Sequence, residues 1–138
     1  MSRSEAREVA YKVLFSHQFT TPEFSDEIIV DALESGQKLS KKDLEFIKEI
    51  LVGVNEHKPE LLNLIERNTQ GYSLERILKT DLVAMLLASY ELKYANIPPS
   101  VAINEAVNLV KRYSTEKSFG FVNSVLSKVH KEISNGSN

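Results

Sequence analysis

The chain has 138 residues, 42% of them hydrophobic and 26% charged, a balance typical of one globular domain that can bury a core without covalent cross-links. It contains no cysteine, which excludes disulfides, thiolate metal sites and thiol nucleophiles. No apolar run is long enough to cross a bilayer, and Arg3, Glu5 and Arg7 interrupt any secretory leader. We therefore expect a cytoplasmic protein without a membrane segment.

The charges are nearly balanced overall but unevenly placed. Seventeen basic and nineteen acidic residues give a net charge of −2, which argues against nonspecific binding to polyanions. Residues 22–34 contain five acids and no base, whereas residues 111–131 contain five bases and one acid, Glu116. This asymmetry suggests two different partners, although chance clustering on a solvated surface explains it equally well.

Helical periodicity runs through the first half of the chain. Ser2 and Glu5 have the spacing of a capping box, which predicts a helix over about residues 4–18. Thr21-Pro22 predicts the start of a second helix that ends near Gly36. Ser40 predicts the start of a third helix. Pro59 predicts the start of a fourth, closed by Gly71.

The second half of the chain is predicted to be helical as well. A short helical turn over 73–78 precedes a strongly apolar helix over 80–94, which we expect to be central and buried. The two prolines at 98–99 exclude helix there and are followed by a helix over 101–113. Thr115 predicts the start of the last helix, and the polar tail 134–138 is expected to fray. The fold class is all-α, a compact bundle of about seven helices.

The sequence offers little for catalysis. His17, His57 and His130 are far apart, and neither a paired metal-ligand spacing nor a phosphate-binding glycine loop is present. Glu105 is the one acid expected to be buried, and we interpret it as a carboxylate that satisfies backbone N–H groups at a helix start. We therefore expect no enzyme activity, no cofactor and no metal.

Two stretches combine basic and aromatic residues, the chemistry that recognises single-stranded RNA. The first contains Arg3 and Arg7 on one helix face, followed by Lys12, Phe15 and Gln18. A solvated helix whose arginines pair with Glu5 and Glu8 is the simpler interpretation, and composition alone favours it.

The second stretch, residues 111–123, places three bases and three aromatics around a predicted helix start, where free N–H groups attract phosphate. Phe121 in this stretch fits a core position as well as it fits a surface one.

At these positions the sequence resembles the NusB family of bacterial transcription antitermination factors. The resemblance covers Arg3 to about Val129. Each motif alone is weak evidence for the family, but the whole set in the family's order is specific. The matching motifs are the arginine-containing start over 3–10, Leu14-Phe15-Ser16 with Gln18, Tyr72-Ser73-Leu74-Glu75-Arg76, Ser89-Tyr90-Glu91-Leu92, residues 101–107, and Lys117-Ser118 with Phe121-Val122-Asn123.

The resemblance implies a single NusB-like RNA-binding domain over 1–138, built from two helical subdomains. It further implies binding of boxA RNA together with NusE, a small-subunit ribosomal protein, and assembly with other Nus factors on RNA polymerase. NusE binding is implied for the second subdomain, around Glu75 and Asp81. RNA contacts are implied for Arg3, Arg7, Phe15, Gln18, Arg76, Lys117, Phe121 and Asn123.

The sequence departs from the family pattern at a few positions. The start has fewer arginines than is common, which reduces the expected RNA affinity without a partner. Tyr72 stands where tryptophan is usual. Lys117 stands where acidic or neutral residues are frequent, and a cation there favours contact with phosphate.

Two alternatives stay open at this point. One is the NusB-like domain found at the front of some ribosomal RNA cytosine methyltransferases, which is disfavoured because no Rossmann-like domain follows before Asn138. The other is a helical module that binds only protein, in which the basic stretches are solvated surfaces.

Overall fold

The computed structural model describes residues 1–17 and 25–136, and all regular structure in them is helical. These residues form two compact units, Met1–Glu56 and His57–Asn138, and α3 contributes to both. The all-α class is therefore confirmed. The α-helices are α1 (Arg3–His17), α2 (Asp26–Asp31), α3 (Lys41–Glu66), α4 (Lys79–Tyr94), α5 (Pro99–Tyr113) and α6 (Ser118–Gly136), with a short 3-10 helix at Leu74–Arg76.

The predicted capping box starts α1. The Ser2 hydroxyl accepts a hydrogen bond from the Glu5 N–H, and the Glu5 carboxylate accepts one from the Ser2 N–H, both at 3.0 Å. The buried face of α1 packs with α2. It contains Ala6, Val9, Ala10, Val13 and Leu14.

The second helix differs from its predicted bounds. Within the described residues α2 begins after Ser25, whose hydroxyl accepts from the Ile28 N–H at 3.3 Å, and it ends at Asp31 rather than near Gly36. The predicted start at Thr21-Pro22 lies outside the described residues. Of the apolar residues in α2 only Ile29 is buried and Val30 is half exposed, so packing supports only a short helix.

The prediction of separate third and fourth helices is wrong. Ser40 and Asp43 form the expected start, with Asp43 N–H donating to the Ser40 hydroxyl at 3.1 Å, but α3 then continues through Pro59 to Glu66. Proline removes one helical hydrogen bond and crowds the preceding turn. The buried stripe continues on both sides of Pro59, from Leu51 and Val54 to Leu61, and this burial outweighs the lost bond.

The second unit has α4 as its core, packed against α5 and α6, as expected for the most apolar helix. The irregular residues 95–98 match the prediction, but α5 begins at Pro99, two residues before the predicted start, because proline is tolerated at the first position of a helix. The last helix starts three residues later than expected, at Ser118, and it continues to Gly136 instead of fraying at residue 134.

The expected buried acid was assigned to the wrong residue. Glu105 is half-buried on α5, whereas the buried carboxylates among the described residues are Asp43, Asp81 and Glu91. Asp81 and Glu91 lie on α4, whose surroundings are mainly apolar. In the part of the chain that the structure covers, no helix is both long and apolar enough to cross a membrane.

Candidate nucleic-acid interface

A cleft of about 280 Å³ opens in the second unit between residues 72–78 and the start of α6. Tyr72 and Arg76 lie on one wall, and Lys117 and Phe121 lie on the other. We call this the α6 cleft. Its remaining lining residues are Ile77, Leu78, Asp81, Thr115 and Ser118.

The first wall is fixed by a buried threonine. The Thr69 hydroxyl lies 2.8 Å from the carbonyl oxygens of both Glu66 and Tyr72, and it accepts the Tyr72 N–H at 3.1 Å. Gly71 has a φ of +101°, a conformation open to glycine and strained for other residues, and it turns the chain between Thr69 and Tyr72. Tyr72 therefore has a fixed backbone although half of its side-chain surface is exposed.

The 3-10 helix that carries Arg76 is attached to the end of α3. The Glu66 carboxylate accepts a hydrogen bond from the Leu74 N–H at 3.0 Å, which satisfies a backbone donor at the start of the 3-10 helix. Arg76 ends this short helix and is exposed.

The second wall is fixed by Asp81 at the start of α4. Its carboxylate accepts hydrogen bonds from the hydroxyls of Ser114, at 2.6 Å, and Ser118, at 2.9 Å. Ser118 also caps the turn before α6, because its hydroxyl accepts the Thr115 N–H at 3.4 Å. Asp81 and Ser118 are both at least 95% buried, so this network sets where Lys117 and Phe121 stand.

The α6 cleft combines cationic and aromatic side chains. Arg76 and Lys117 are exposed, and neither forms an ion pair with any residue that the structure describes. The rings of Tyr72 and Phe121 meet edge to face, with centroids 5.8 Å apart at 77°. Phe121 is half-buried, so it packs inside and still presents ring surface to the cleft. Two unpaired cations beside two rings can hold phosphate and stack an unpaired base.

Asn123 does not share this site. It is exposed on α6 and does not line the α6 cleft, so the cleft brings together Arg76, Lys117 and Phe121 of the predicted RNA residues but not Asn123.

In the first unit, two of the predicted RNA-binding residues lie over the same aromatic ring. The guanidinium carbons of Arg3 and Arg7 lie 4.1 Å and 5.4 Å from the centroid of Phe46 on α3. The two arginines therefore share one helix face as expected, but Arg3 is exposed whereas only 5% of Arg7 is accessible. Position 7 faces the core because it shares a helix face with the buried residues Ala10 and Leu14, three and seven positions further along α1.

The other predicted residues of α1 are only partly available. Lys12 pairs with Glu34 at 3.3 Å, and Phe15 is half-buried. Gln18 lies outside the described residues. Glu5, one of the acids expected to pair with an arginine, is engaged in the capping box, and the Ser2 N–H that it accepts lowers its pKa.

The two predicted partner-binding acids differ in surroundings. Glu75 is exposed on the 3-10 helix, whereas Asp81 is 4% exposed and bonded to Ser114 and Ser118. The carboxylate of Asp81 thus positions the start of α6, and Glu75 is the acid that a partner can reach.

Three residues of these sites are not predicted from the sequence. They are Tyr72, whose ring lines the α6 cleft, Phe46, whose ring lies under the two arginines, and Thr69, which fixes the first wall. Tyr72 was detectable, because it precedes Arg76 within a single motif. Phe46 and Thr69 gave no signal, since their roles depend on contacts between segments distant in sequence.

The comparisons with known proteins identify the family. The model of the NusB family matches residues 4–131. The chain belongs to the NusB family. It is 38% identical over 138 residues to the transcription antitermination protein NusB of Finegoldia magna, covering 99% of each chain. It is 42% identical to that of Ruminiclostridium cellulolyticum, covering 95% of this chain and 90% of the relative.

Solved NusB structures share this fold. NusB of T. maritima superposes with a TM-score of 0.83 at 34% identity, covering 96% of this chain and 92% of the other. A complex described as antitermination factors NusB and NusE with dsRNA superposes with a TM-score of 0.80 at 28% identity, covering 94% and 96%. Both confirm the NusB-like all-α fold that the motifs implied.

Proposed function

We propose that this chain is a transcription antitermination factor that binds single-stranded, boxA-type RNA in nascent transcripts together with NusE. It acts with other Nus factors on RNA polymerase, notably in ribosomal RNA transcription, and it works in the cytoplasm by binding rather than catalysis. The α6 cleft carries this proposal, because Arg76 and Lys117, which form no ion pair with the residues that the structure describes, stand beside the rings of Tyr72 and Phe121. The antitermination function named for its relatives supports it.

The cleft favours an unpaired strand over a duplex. A ring can stack only on a base whose face is free, and bases in a duplex are stacked on one another. The similar NusB–NusE complex contains dsRNA, so duplex RNA is a necessary arm of the test. In our proposal Lys117 and Arg76 hold phosphates, and Phe121 presents a surface for a base.

Arg3, in the first unit, is a further cation that can contact a phosphate. Arg3 is exposed and held over Phe46 at 4.1 Å, which reduces the side-chain entropy lost when it contacts a phosphate. Arg7 supports the same ring from a buried position. Phe15, Gln18 and Asn123 stay predicted RNA contacts.

NusE is assigned to the second unit, through Glu75. This carboxylate is exposed next to the α6 cleft residue Arg76, so a partner bound there lies beside the RNA. Asp81 contributes by positioning α6 rather than by touching NusE directly.

The decisive experiment compares Lys117→Ala, just before α6, with Lys131→Ala, which removes an exposed cation near the far end of α6. Binding is measured with boxA RNA, a scrambled RNA of the same length and duplex RNA, with and without NusE, at two salt concentrations. We expect Lys117→Ala to weaken binding of boxA RNA and to reduce the salt slope by about one, while Lys131→Ala leaves both unchanged.

Three results would contradict the proposal. Equal affinity for boxA and scrambled RNA in the presence of NusE would show that the protein does not select the boxA sequence. A preference for duplex RNA would show that the rings do not stack on unpaired bases. Tight binding to NusE with no measurable RNA binding favours the alternative, a helical module that binds only protein.

A further inference from the structure

We propose that the bound RNA strand does not end in the α6 cleft but continues around the start of α6 to a second stacking ring, Phe119, held by Lys111. This inference rests on the proposed function, because it extends the same RNA site. The predicted RNA residues do not include Phe119 or Lys111.

Phe119 is an exposed aromatic side chain with a cation placed over it. Its accessible fraction is 45%, and the ammonium of Lys111, at the end of α5, lies 4.5 Å from the ring centroid. A cation at this distance is attracted by the ring face and limits the orientations of both side chains. Nearly half of the residue's surface stays accessible, which leaves room for a base to contact the ring.

The position of Phe119 relative to Phe121 defines the path of the strand. Two residues along an α-helix correspond to a rotation of about 200°, so the two rings leave α6 on nearly opposite sides. Phe121 enters the α6 cleft, and Phe119 points toward the end of α5, where Lys111 lies. A strand passing from one ring to the other crosses the start of α6, near Lys117.

The charges along this path favour a polyanion. Lys111, Arg112 and Lys117 are all exposed, and Glu116 is the acid among them. Arg112 also lies near Tyr113, with its guanidinium carbon 5.5 Å from the ring centroid, so a second cation is held in the last turn of α5. Phosphate groups spaced along one strand match cations spaced along one surface.

The surroundings of Phe119 fit RNA better than a protein partner. Anchors of protein interfaces lie in well-packed apolar patches. Within the described residues, Phe119 is the large exposed apolar side chain of α6, and its neighbours in the preceding segment are cations, hydroxyl-bearing residues and one acid, Glu116. An isolated ring among cations is the arrangement used for stacking nucleotides.

The test uses a ladder of boxA RNAs shortened one nucleotide at a time from each end, with affinity measured for the parent and for Phe119→Leu. We expect some terminal nucleotides to strengthen binding to the parent but add nothing to the Phe119→Leu variant, a difference of roughly 5- to 150-fold for a stacked base. Phe119→Tyr keeps a ring and should retain the parent affinity. Lys111→Ala should lower the salt slope by about one for the long RNA only.

Lys117→Ala separates this inference from the proposed function. If Lys117→Ala weakens all RNAs in the ladder while Phe119→Leu and Lys111→Ala match the parent on every length, the α6 cleft binds RNA and the second ring does not. If the parent binds none of the RNAs, with or without NusE, both proposals are overturned. A loss in Phe119→Leu that affects NusE binding and not RNA assigns the ring to a protein partner and also overturns the inference.

Discussion

Asp81 accepts a hydrogen bond from Ser118 at 2.9 Å, which joins the first turn of α4 to the first turn of α6. Both side chains are almost fully buried. A carboxylate removed from water has to be satisfied by donors, and here the hydroxyls of Ser114 and Ser118 do so. The bond also determines where Lys117 and Phe121 stand, since they flank Ser118 on α6 and its preceding turn.

We expect Ser118→Ala to lower the free energy of unfolding by about 1–3 kcal/mol, because it leaves one oxygen of the buried Asp81 carboxylate without a donor. RNA binding should weaken as well, since the start of α6 loses its attachment to α4. Urea unfolding measures the first effect and RNA titration of the folded variant the second. Ser124→Ala, at an exposed position of the same helix, is the matched control. Equal stability of the two variants would show that the carboxylate is satisfied without Ser118.

The sequence predicts the helices well because each depends on local apolar periodicity and capping. The capping box of α1 and the buried α4 are both confirmed. The candidate site was only partly predictable. Basic and aromatic residue types pointed to Lys117 and Phe121, and the resemblance to the NusB family pointed to Arg76. Burial of Arg7 and Asp81, in contrast, depends on packing between segments distant in sequence. Local composition carries no information about such packing.

Pro59 is a position where local sequence also fails to predict the fold. Locally, proline predicts a helix start, yet α3 passes through it because the buried stripe on both sides fixes the helix. We expect Pro59→Ala to raise the free energy of unfolding by about 1–3 kcal/mol, since alanine restores the missing N–H and removes the crowding. Urea unfolding measures the change. Glu56→Ala, at an exposed position of the same helix, is the control for added helix propensity alone. A Pro59→Ala variant less stable than the parent would show that proline stabilises α3 through the unfolded chain.

We expect the aromatic ring of Phe46, rather than its volume, to account for its contribution to stability and RNA affinity. Phe46→Leu keeps an apolar side chain but removes the ring face under Arg3 and Arg7, so we expect a loss of about 0.5–2 kcal/mol in stability. RNA affinity should fall too, because Arg3 loses its fixed orientation. Phe46→Tyr keeps the ring and should behave as the parent in both urea unfolding and RNA titration. If Phe46→Leu equals Phe46→Tyr in both, the arginines are positioned by other contacts.

The pair between Arg67 and Glu132 makes the second unit sensitive to acid. Hydrogen bonds from the Arg67 guanidinium hold the pKa of Glu132 below its ordinary value of 4.5, and Asn68 donates to the same carboxylate at 3.1 Å. Because the folded pKa is lower than the unfolded one, the pair stabilises the fold above the unfolded pKa. This stabilisation is lost as the pH falls through the folded pKa.

Glu132→Gln should therefore reduce the dependence of stability on acid pH. We expect its urea midpoint to fall less than that of the parent between about pH 6 and about pH 3.5, because glutamine has no proton to take up. Added salt should shrink the difference between the two proteins at the higher pH, since 57% of Arg67 and 38% of Glu132 side-chain surface is exposed and screening is strong there. Glu45→Gln, an exposed acid of α3 without an ion pair in the described residues, is the control and should follow the parent. A Glu132→Gln variant with the full acid dependence of the parent would assign that dependence to other carboxylates, with Glu60, held by Lys93 and Tyr94, as the next to replace.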